Sequence, residues 1–388
     1  MHIFANTLRL LHWPTCSRYN AHAWLAHTQL SRKYSTEHVL GYPRSVATTT
    51  KIQTGLNSFK TVTIFNAPRS PAAGLAGPVI LYIGHGSKFD VKPSSRSRST
   101  TALDLALAAN ATVVFADLNN VLECPYPGPI HQVLRIYDWA KKNIARNEPS
   151  IHDPLSRSKI GVCGELVGGS LAAMLALTEC HSLMQGVNAA AIGNPIVDWT
   201  AIFTPEMNPA PASAEGLVNN PKKDAVVERA PTILKSLLNM RGKLFTKAEK
   251  YYDPFASPLL FFRTPSSDLP TEFDRLDLEG DLDTSHETTE AIKKRRSLRK
   301  YPPRASDLVL PHMRVDTGKE NVLWDQGVEL IDLMRRSHGR AGIERNTLQD
   351  ALPSRNFSVV ERQGFGWWHE KEIQEIGDWF GEVLRRPD

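Results

Sequence analysis

Residues 159–177 read KIGVCGELVGGSLAAMLAL, and the order of events in this stretch sets the architecture. Lys159–Cys163 is a short apolar run, as a strand buried on both faces of a sheet requires. Gly164 interrupts it. From Gly169 onward an Ala/Leu/Met-rich run predicts a long buried helix. A buried strand that turns almost directly into a helix is the repeating step of a parallel α/β sheet.

The same rhythm extends in both directions. Upstream, Pro78–Ile83 (PVILYI) and Ala111–Ala116 (ATVVFA) are continuous apolar runs and predict two further buried strands. Thr101–Asn110 reads as a helix, and Ile130–Ile144 is helical with Val133, Ile136, Tyr137 and Ala140 on one face. Residues 42–76 predict the opening strands, with alternating, β-branched Thr61–Phe65 the clearest. Downstream come strand Met313–Thr317, helix Trp324–Ser337, strand Phe357–Glu361 and a last helix from about Lys371. The expected fold is α/β: an eight-stranded, mostly parallel sheet with helices on both faces and right-handed crossovers. Strands 78–83, 111–116 and 159–163 should be neighbours in it.

The middle breaks the rhythm. Residues 203–225 are rich in Pro, Ala and Asn and read as a loop. Ala225–Leu244 can form a helix, and Tyr251–Phe262 (YYDPFASPLLFF) is aromatic and broken by proline. Residues 203–305 are therefore read as an inserted lid region. Its end carries an acidic stretch over 268–290 and a basic run over 293–304 (KKRRSLRKYPPR). The basic run offers a contact for RNA or an acidic partner, but the neighbouring acidic stretch can neutralise it, which disfavours nucleic acid.

Hydrophobic residues make up 41% and charged residues 22% of the 388, ordinary usage for a globular chain. No apolar run approaches the roughly 20 residues that a membrane span needs. The four cysteines, Cys16, Cys124, Cys163 and Cys180, show neither CxxC nor metal-finger spacing. They imply a reducing compartment, no disulfide framework and no metal site. No motif calls for a cofactor.

The charge is uneven. Residues 1–34 hold Arg9, Arg18, Arg32 and Lys33 and no Asp or Glu, and without them 42 basic residues face 41 acidic ones, a net charge of +1. A global basic field for nucleic acid is thus not supported. An acid-free segment with spaced Arg among Leu, Trp and Ile reads as a mitochondrial transit peptide. Arg32-Lys33-Tyr34-Ser35 resembles a matrix processing signal. The expectation is a matrix protein whose mature domain spans 35–388; failing an import signal, the chain would be cytoplasmic.

Three stretches together resemble the hormone-sensitive-lipase-like branch of the α/β-hydrolases. Gly84-His85-Gly86-Ser87 follows a buried strand, as the family's His-Gly-Gly-Gly loop does. Asp117-Leu118-Asn119 with Glu123-Cys124-Pro125-Tyr126-Pro127 is similar to the block Asp-Tyr-Arg-Leu-Ala-Pro-Glu-x-Pro-Phe-Pro. Gly164-Glu165-Leu166-Val167-Gly168-Gly169-Ser170-Leu171-Ala172-Ala173 is similar to the elbow Gly-Asp-Ser-Ala-Gly-Gly-Asn-Leu-Ala-Ala. The resemblance covers about residues 76–200 well and 310–385 more loosely. It implies an α/β-hydrolase fold. It also implies an oxyanion loop at His85, Gly86 and Ser87, and an elbow at Gly164, Glu165, Leu166, Val167 and Gly168.

The departures fall on the chemistry. Where the family has its serine this chain has Leu166, which carries no nucleophilic atom. Ser170 lies one turn into the helix, and Cys163 belongs inside the strand. The family's acid maps onto Asn321, a neutral amide that cannot stabilise an imidazolium by charge. The family's histidine maps onto Trp367, with His369 two residues late, so either occupies that position. A base with no nucleophile beside it has nothing to activate. His85-Gly86 and the elbow glycines serve equally as turn-formers or as remnants of ligand binding.

Two functions follow. The leading one is a pseudoenzyme: a catalytically inactive α/β-hydrolase-like protein acting as a binding or structural subunit for an unidentified protein partner, in mitochondria. The alternative is a carboxylesterase-like hydrolase of non-standard mechanism, using the oxyanion loop with His369 or Glu165 as general base to activate water.

Overall fold

The computed structural model describes residues 47–55, 58–66, 77–84, 98–118, 124–145, 157–182, 185–202, 221–265, 298–303, 306–344 and 356–386. The transit-peptide reading over 1–34 and the oxyanion-loop residues His85, Gly86 and Ser87 lie outside the described residues. So do most of the acidic and basic runs between 266 and 297.

The eight strands are β1 (Ala47–Gln53), β2 (Phe59–Phe65), β3 (Val79–Gly84), β4 (Thr112–Asp117), β5 (Ile160–Glu165), β6 (Val187–Gly193), β7 (His312–Gly318) and β8 (Phe357–Arg362). They form one sheet in the order β1-β2-β4-β3-β5-β6-β7-β8. β1 and β2 pair antiparallel, and β2 is antiparallel to β4; every other neighbour is parallel. The three strands expected to be neighbours are so, as β4, β3 and β5. Strand β6 has no counterpart in the sequence reading. Its VNAAAIG is largely buried, but three of its seven residues are alanine, which carries neither the β-branching nor the bulk that marks a strand.

Helices α1 (Arg98–Ala109), α2 (Gly128–Asn143), α3 (Leu166–Thr178), α4 (Pro221–Leu244), α5 (Trp324–Glu344) and α6 (Glu370–Val383) follow in chain order. Successive side chains of a strand face opposite sides of a sheet, and two cores result. Leu81 and Ile83 of β3 face Val133, Ile136, Leu171, Leu175, Leu330 and Met334 of α2, α3 and α5. Ile80 and Tyr82 of the same strand face Leu105, Ile376 and Phe380 of α1 and α6. Both faces are thus covered, which is why these strands read as unbroken apolar runs.

The insertion read over residues 203–305 falls between β6 and β7. Its described parts are α4, two short 3-10 turns at Ala248–Tyr252 and Pro258–Phe261, and an isolated bridge from Arg263 to Leu298. The proline-broken aromatic segment therefore folds as turns that contribute Leu259 and Phe262 to the first core.

Candidate functional site

In parallel α/β sheets the functional corner lies beyond the C-terminal ends of the strands. Here β5 delivers the elbow. Helix α3 begins at Leu166 rather than at Gly169, immediately after Glu165, so strand passes to helix without a loop. Leu166 itself has φ +51°, the left-handed region. A side chain with a Cβ meets its own carbonyl there, at about 1–2 kcal/mol. The local sequence allows the turn because it removes side chains where strand and helix collide. A Cβ on Gly164 would lie 2.7 Å from the Gly168 carbonyl carbon and oxygen and from Ile83 O. One on Gly169 would lie 3.1 Å from Gly164 O and Gly193 O.

The strained turn presents no reactive group. Leu166 is 1% exposed and belongs to the first hydrophobic core, with Val167 beside it. Ser170 is buried, its Oγ 3.0 Å from Leu166 O and 2.6 Å from Ile196 O, so its one proton goes to main-chain carbonyls. Cys163 is fully buried within β5, and burial, with the nearby Glu165 charge, pushes its thiol well above the usual range. A thiol that stays protonated is not a nucleophile at neutral pH.

Glu165 is buried as well. Its Oε1 accepts the Trp368 N–H at 3.0 Å, so this carboxylate ties the elbow to the segment between β8 and α6.

Asn321 follows β7 and makes three side-chain hydrogen bonds in the surrounding loops. Nδ2 donates to Asn194 Oδ1 at 2.8 Å and to Phe365 O at 3.1 Å, and Oδ1 accepts the Leu323 N–H at 3.0 Å. Asn194 in turn donates from Nδ2 to Gly366 O at 3.0 Å, and its main-chain N–H donates to Asp316 O. An Asn–Asn pair thus laces together the chain ends that leave β6, β7 and β8. Asn194 has φ +43°, a conformation Asn tolerates better than most residues.

His369 is exposed at the start of α6, where its main-chain N–H donates to Glu372 Oε2 at 3.0 Å. Trp367 is half-buried against the first core, and Trp368 is buried in the second. Among the described residues no hydrogen bond or ion pair joins Leu166, Asn321 and His369 to one another. No group of His, Cys, Asp and Glu among them could hold a metal ion.

The polar chemistry near this corner sits elsewhere. Arg263, 1% exposed, donates from Nη2 to Asp198 Oδ2 at 2.7 Å and from Nε to Glu329 Oε1 at 2.7 Å. Asp198 is fully buried, and its Oδ1 accepts from Thr200 N and Oγ1. Gln326 Oε1 accepts the N–H groups of Val197 and Asp198. This cluster fastens the β6–β7 insertion to the segment after β6 and to α5. Sequence reading missed it, because a single Arg in FFRTP gives no sign of its distant partners.

A family model described as alpha/beta hydrolase fold matches residues 80–273, half of the chain. The chain belongs to the α/β hydrolase fold family. Among solved structures, this α/β hydrolase is similar to a hyperthermophilic esterase from the archaeon Pyrobaculum calidifontis. That match has TM-score 0.50 and 17% identity and covers 87% of this chain and 82% of the esterase. It is also similar to EstE1, a thermostable carboxylesterase cloned from a metagenomic library, with TM-score 0.51, 16% identity, and 89% and 92% of the two chains covered. At that identity the likeness is one of fold. A search of curated proteins finds no match. No helix among the described residues of this α/β hydrolase is long and apolar enough to cross a membrane.

Proposed function

We propose that this α/β hydrolase is a catalytically inactive member of its family, serving as a binding or structural subunit in mitochondria. The observation that carries the reading is Leu166: the left-handed elbow backbone is retained, with a buried leucine where the family places its nucleophile. An acyl-enzyme needs a hydroxyl or thiolate at that point, and Leu166 has neither. Two further observations support it. Asn321 is committed to Asn194, Phe365 and Leu323, and His369 is exposed at a helix start. The mitochondrial part rests on the acid-free, basic residues 1–34.

The test of chemistry is direct. Purified protein should not turn over short p-nitrophenyl esters above buffer, and an organophosphonate probe should not label it. Stoichiometric labelling, lost on removal of one particular Ser or Cys, would overturn the inactive reading and favour a hydrolase of non-standard mechanism. Turnover that disappears in His369→Ala would do the same and point to that histidine as base. For location, N-terminal sequencing of the protein from cells should find a chain that begins near residue 35; a mature chain starting at Met1 removes the import argument. Affinity purification from mitochondria would then identify the partner.

A further inference from the structure

Strand β8 ends the sheet: β7 pairs with it on one side, and no described strand lies on the other. Its entry is fastened at three points. The Met313 N–H donates to Asn356 O at 2.9 Å. The Arg335 guanidinium donates to Phe357 O at 2.8 and 3.2 Å. The Asn356 N–H donates to His312 Nδ1 at 3.0 Å. This last bond differs from the others. A main-chain amide can only donate, so Nδ1 must carry a free lone pair, and the ring in this fold is the neutral tautomer with its proton on Nε2. His312 is 8% exposed, at the first residue of β7. A proton on Nδ1 would set one donor against another and place a charge in a buried position.

The groups around the ring do not favour that charge. Met313 and Val315 lie in the first core, so His312, Arg314 and Asp316 share the opposite face of β7. Arg314 is the next charged side chain on that face, and it opposes a second cation. The carboxylates of Asp316 and Glu375 are already held by Arg314 and Arg362. Helix α6 carries Asp378 and Glu382 on its following turns, both exposed to water. The neighbour on β6 is Ala189. From α5 come Arg335 and His338, whose ring lies 5.4 Å from that of Phe357. On the segment leading into β7, Asp307 is paired with His181 at 3.0 Å.

We propose that His312 is an acid-sensitive latch on the end strand: protonation of Nδ1 breaks its bond to Asn356 and frees the entry of β8, baring the adjoining edge of β7. The proton comes from solvent, and no covalent bond changes. Folding favours the neutral ring, so the hold is complete above the ordinary histidine range, about 6.5, and is lost as pH falls through it. An end strand can yield while the rest stays folded, because local opening is easiest where a ladder has one neighbour. This inference stands apart from the proposed function, since none of its atoms belongs to the elbow.

The experiment follows hydrogen exchange of the full-length protein by mass spectrometry at about pH 7.5 and about pH 5.5, with each amide corrected for its intrinsic rate. Peptides covering 356–362 report the strand, and peptides covering 79–84 of β3 are the control. In the wild type, protection over 356–362 should fall by about ten-fold at the lower pH while β3 stays protected. His312→Asn places an Oδ1 acceptor where Nδ1 sits and takes up no proton, so it should stay protected at both values. His338 and the His181–Asp307 pair remain in that variant, so a loss that persists there belongs to them and overturns the proposal. Unchanged protection in the wild type does so too. Nitrogen NMR of histidine-labelled wild type decides the matter even if the variant does not fold. His312 should show an unprotonated Nδ1 at about pH 7.5 and become imidazolium over the interval in which protection is lost. An imidazolium already present at the higher pH, or a titration that leaves β8 protected, overturns the proposal.

Discussion

Two regions near the same edge of the sheet have kept opposite things. At the elbow β5 runs into α3 through Leu166 at φ +51°, with Gly164 and Gly169 giving way to the helix. The side chain there is apolar and buried. At the insertion anchor buried charge dominates instead, with Arg263 clamped between Asp198 and Glu329. At the elbow close packing sets the geometry. Strand β5 and helix α3 must meet closely whether or not chemistry happens between them. The insertion, by contrast, is held by charges whose burial is tolerable only because each is paired.

That contrast can be broken at the anchor first. Arg263→Ala leaves Asp198, fully buried, without its counter-charge. The expected loss is about 3–5 kcal/mol of stability, read from urea unfolding monitored by tryptophan fluorescence. A loss below about 1 kcal/mol would mean that the cluster does not fasten the insertion.

At the elbow, Leu166→Ser restores the family's residue type. Because the leucine is 1% exposed in the first core, truncating it should cost about 2–5 kcal/mol. It should give no ester turnover, since Asn321 and His369 stay as they are. A neutral effect on stability would mean that Leu166 is not a packing residue, and the account of the elbow would fail.

Asn321→Asp tests what the hydrogen bonds at this position do for the architecture. In a catalytic site it would restore the acid. Here it would set a carboxylate against Asn194 Oδ1 and Phe365 O, both of which now receive protons from Nδ2. We expect a loss of about 1–3 kcal/mol at neutral pH. The sign with pH follows: such a carboxyl has its pKa raised in the folded state, so the penalty is full above that pKa and shrinks as pH falls. Equal destabilisation at pH 4 and pH 8 would contradict this.

The smallest effect belongs to a second charged cluster. Asp316 of β7, fully buried, is bound by Arg314 and Arg362, and Arg362 also donates to Glu375 Oε2 at 2.7 Å. The Arg362 hydrogen bond holds the Glu375 carboxyl below its usual range, with burial opposing it. A depressed folded pKa contributes stability that is present above the unfolded value, near 4.3, and is lost as pH falls through the folded one. The Glu375 side chain is 37% exposed, so solvent screening should keep the effect below about 1 kcal/mol. The wild type should exceed Glu375→Gln in stability at pH 6 and converge with it by about pH 2; a constant gap would locate the effect in packing.

Most of the sheet was legible because strands covered on both faces must be apolar throughout, and PVILYI and ATVVFA announce that without any knowledge of neighbours. Strand β6 escaped because alanine is at home in a helix as well as in a sheet. Leu166 stands out in the sequence as well, since nucleophilic attack demands particular atoms and a leucine has none of them. The sequence by itself therefore determined most of the order of strands and helices along the chain, β6 excepted, and the side-chain chemistry that Leu166 and Asn321 can offer. Only the tertiary structure decided what those positions do instead. That Asn321 grips Asn194 and Phe365, that Glu165 receives the Trp368 N–H, and that Arg263 finds Asp198 and Glu329 are meetings of residues 44 to 203 positions apart. The reason is physical: local sequence biases the backbone of its own segment, but a hydrogen bond or ion pair across such a separation exists only after the sheet has brought its strand ends together.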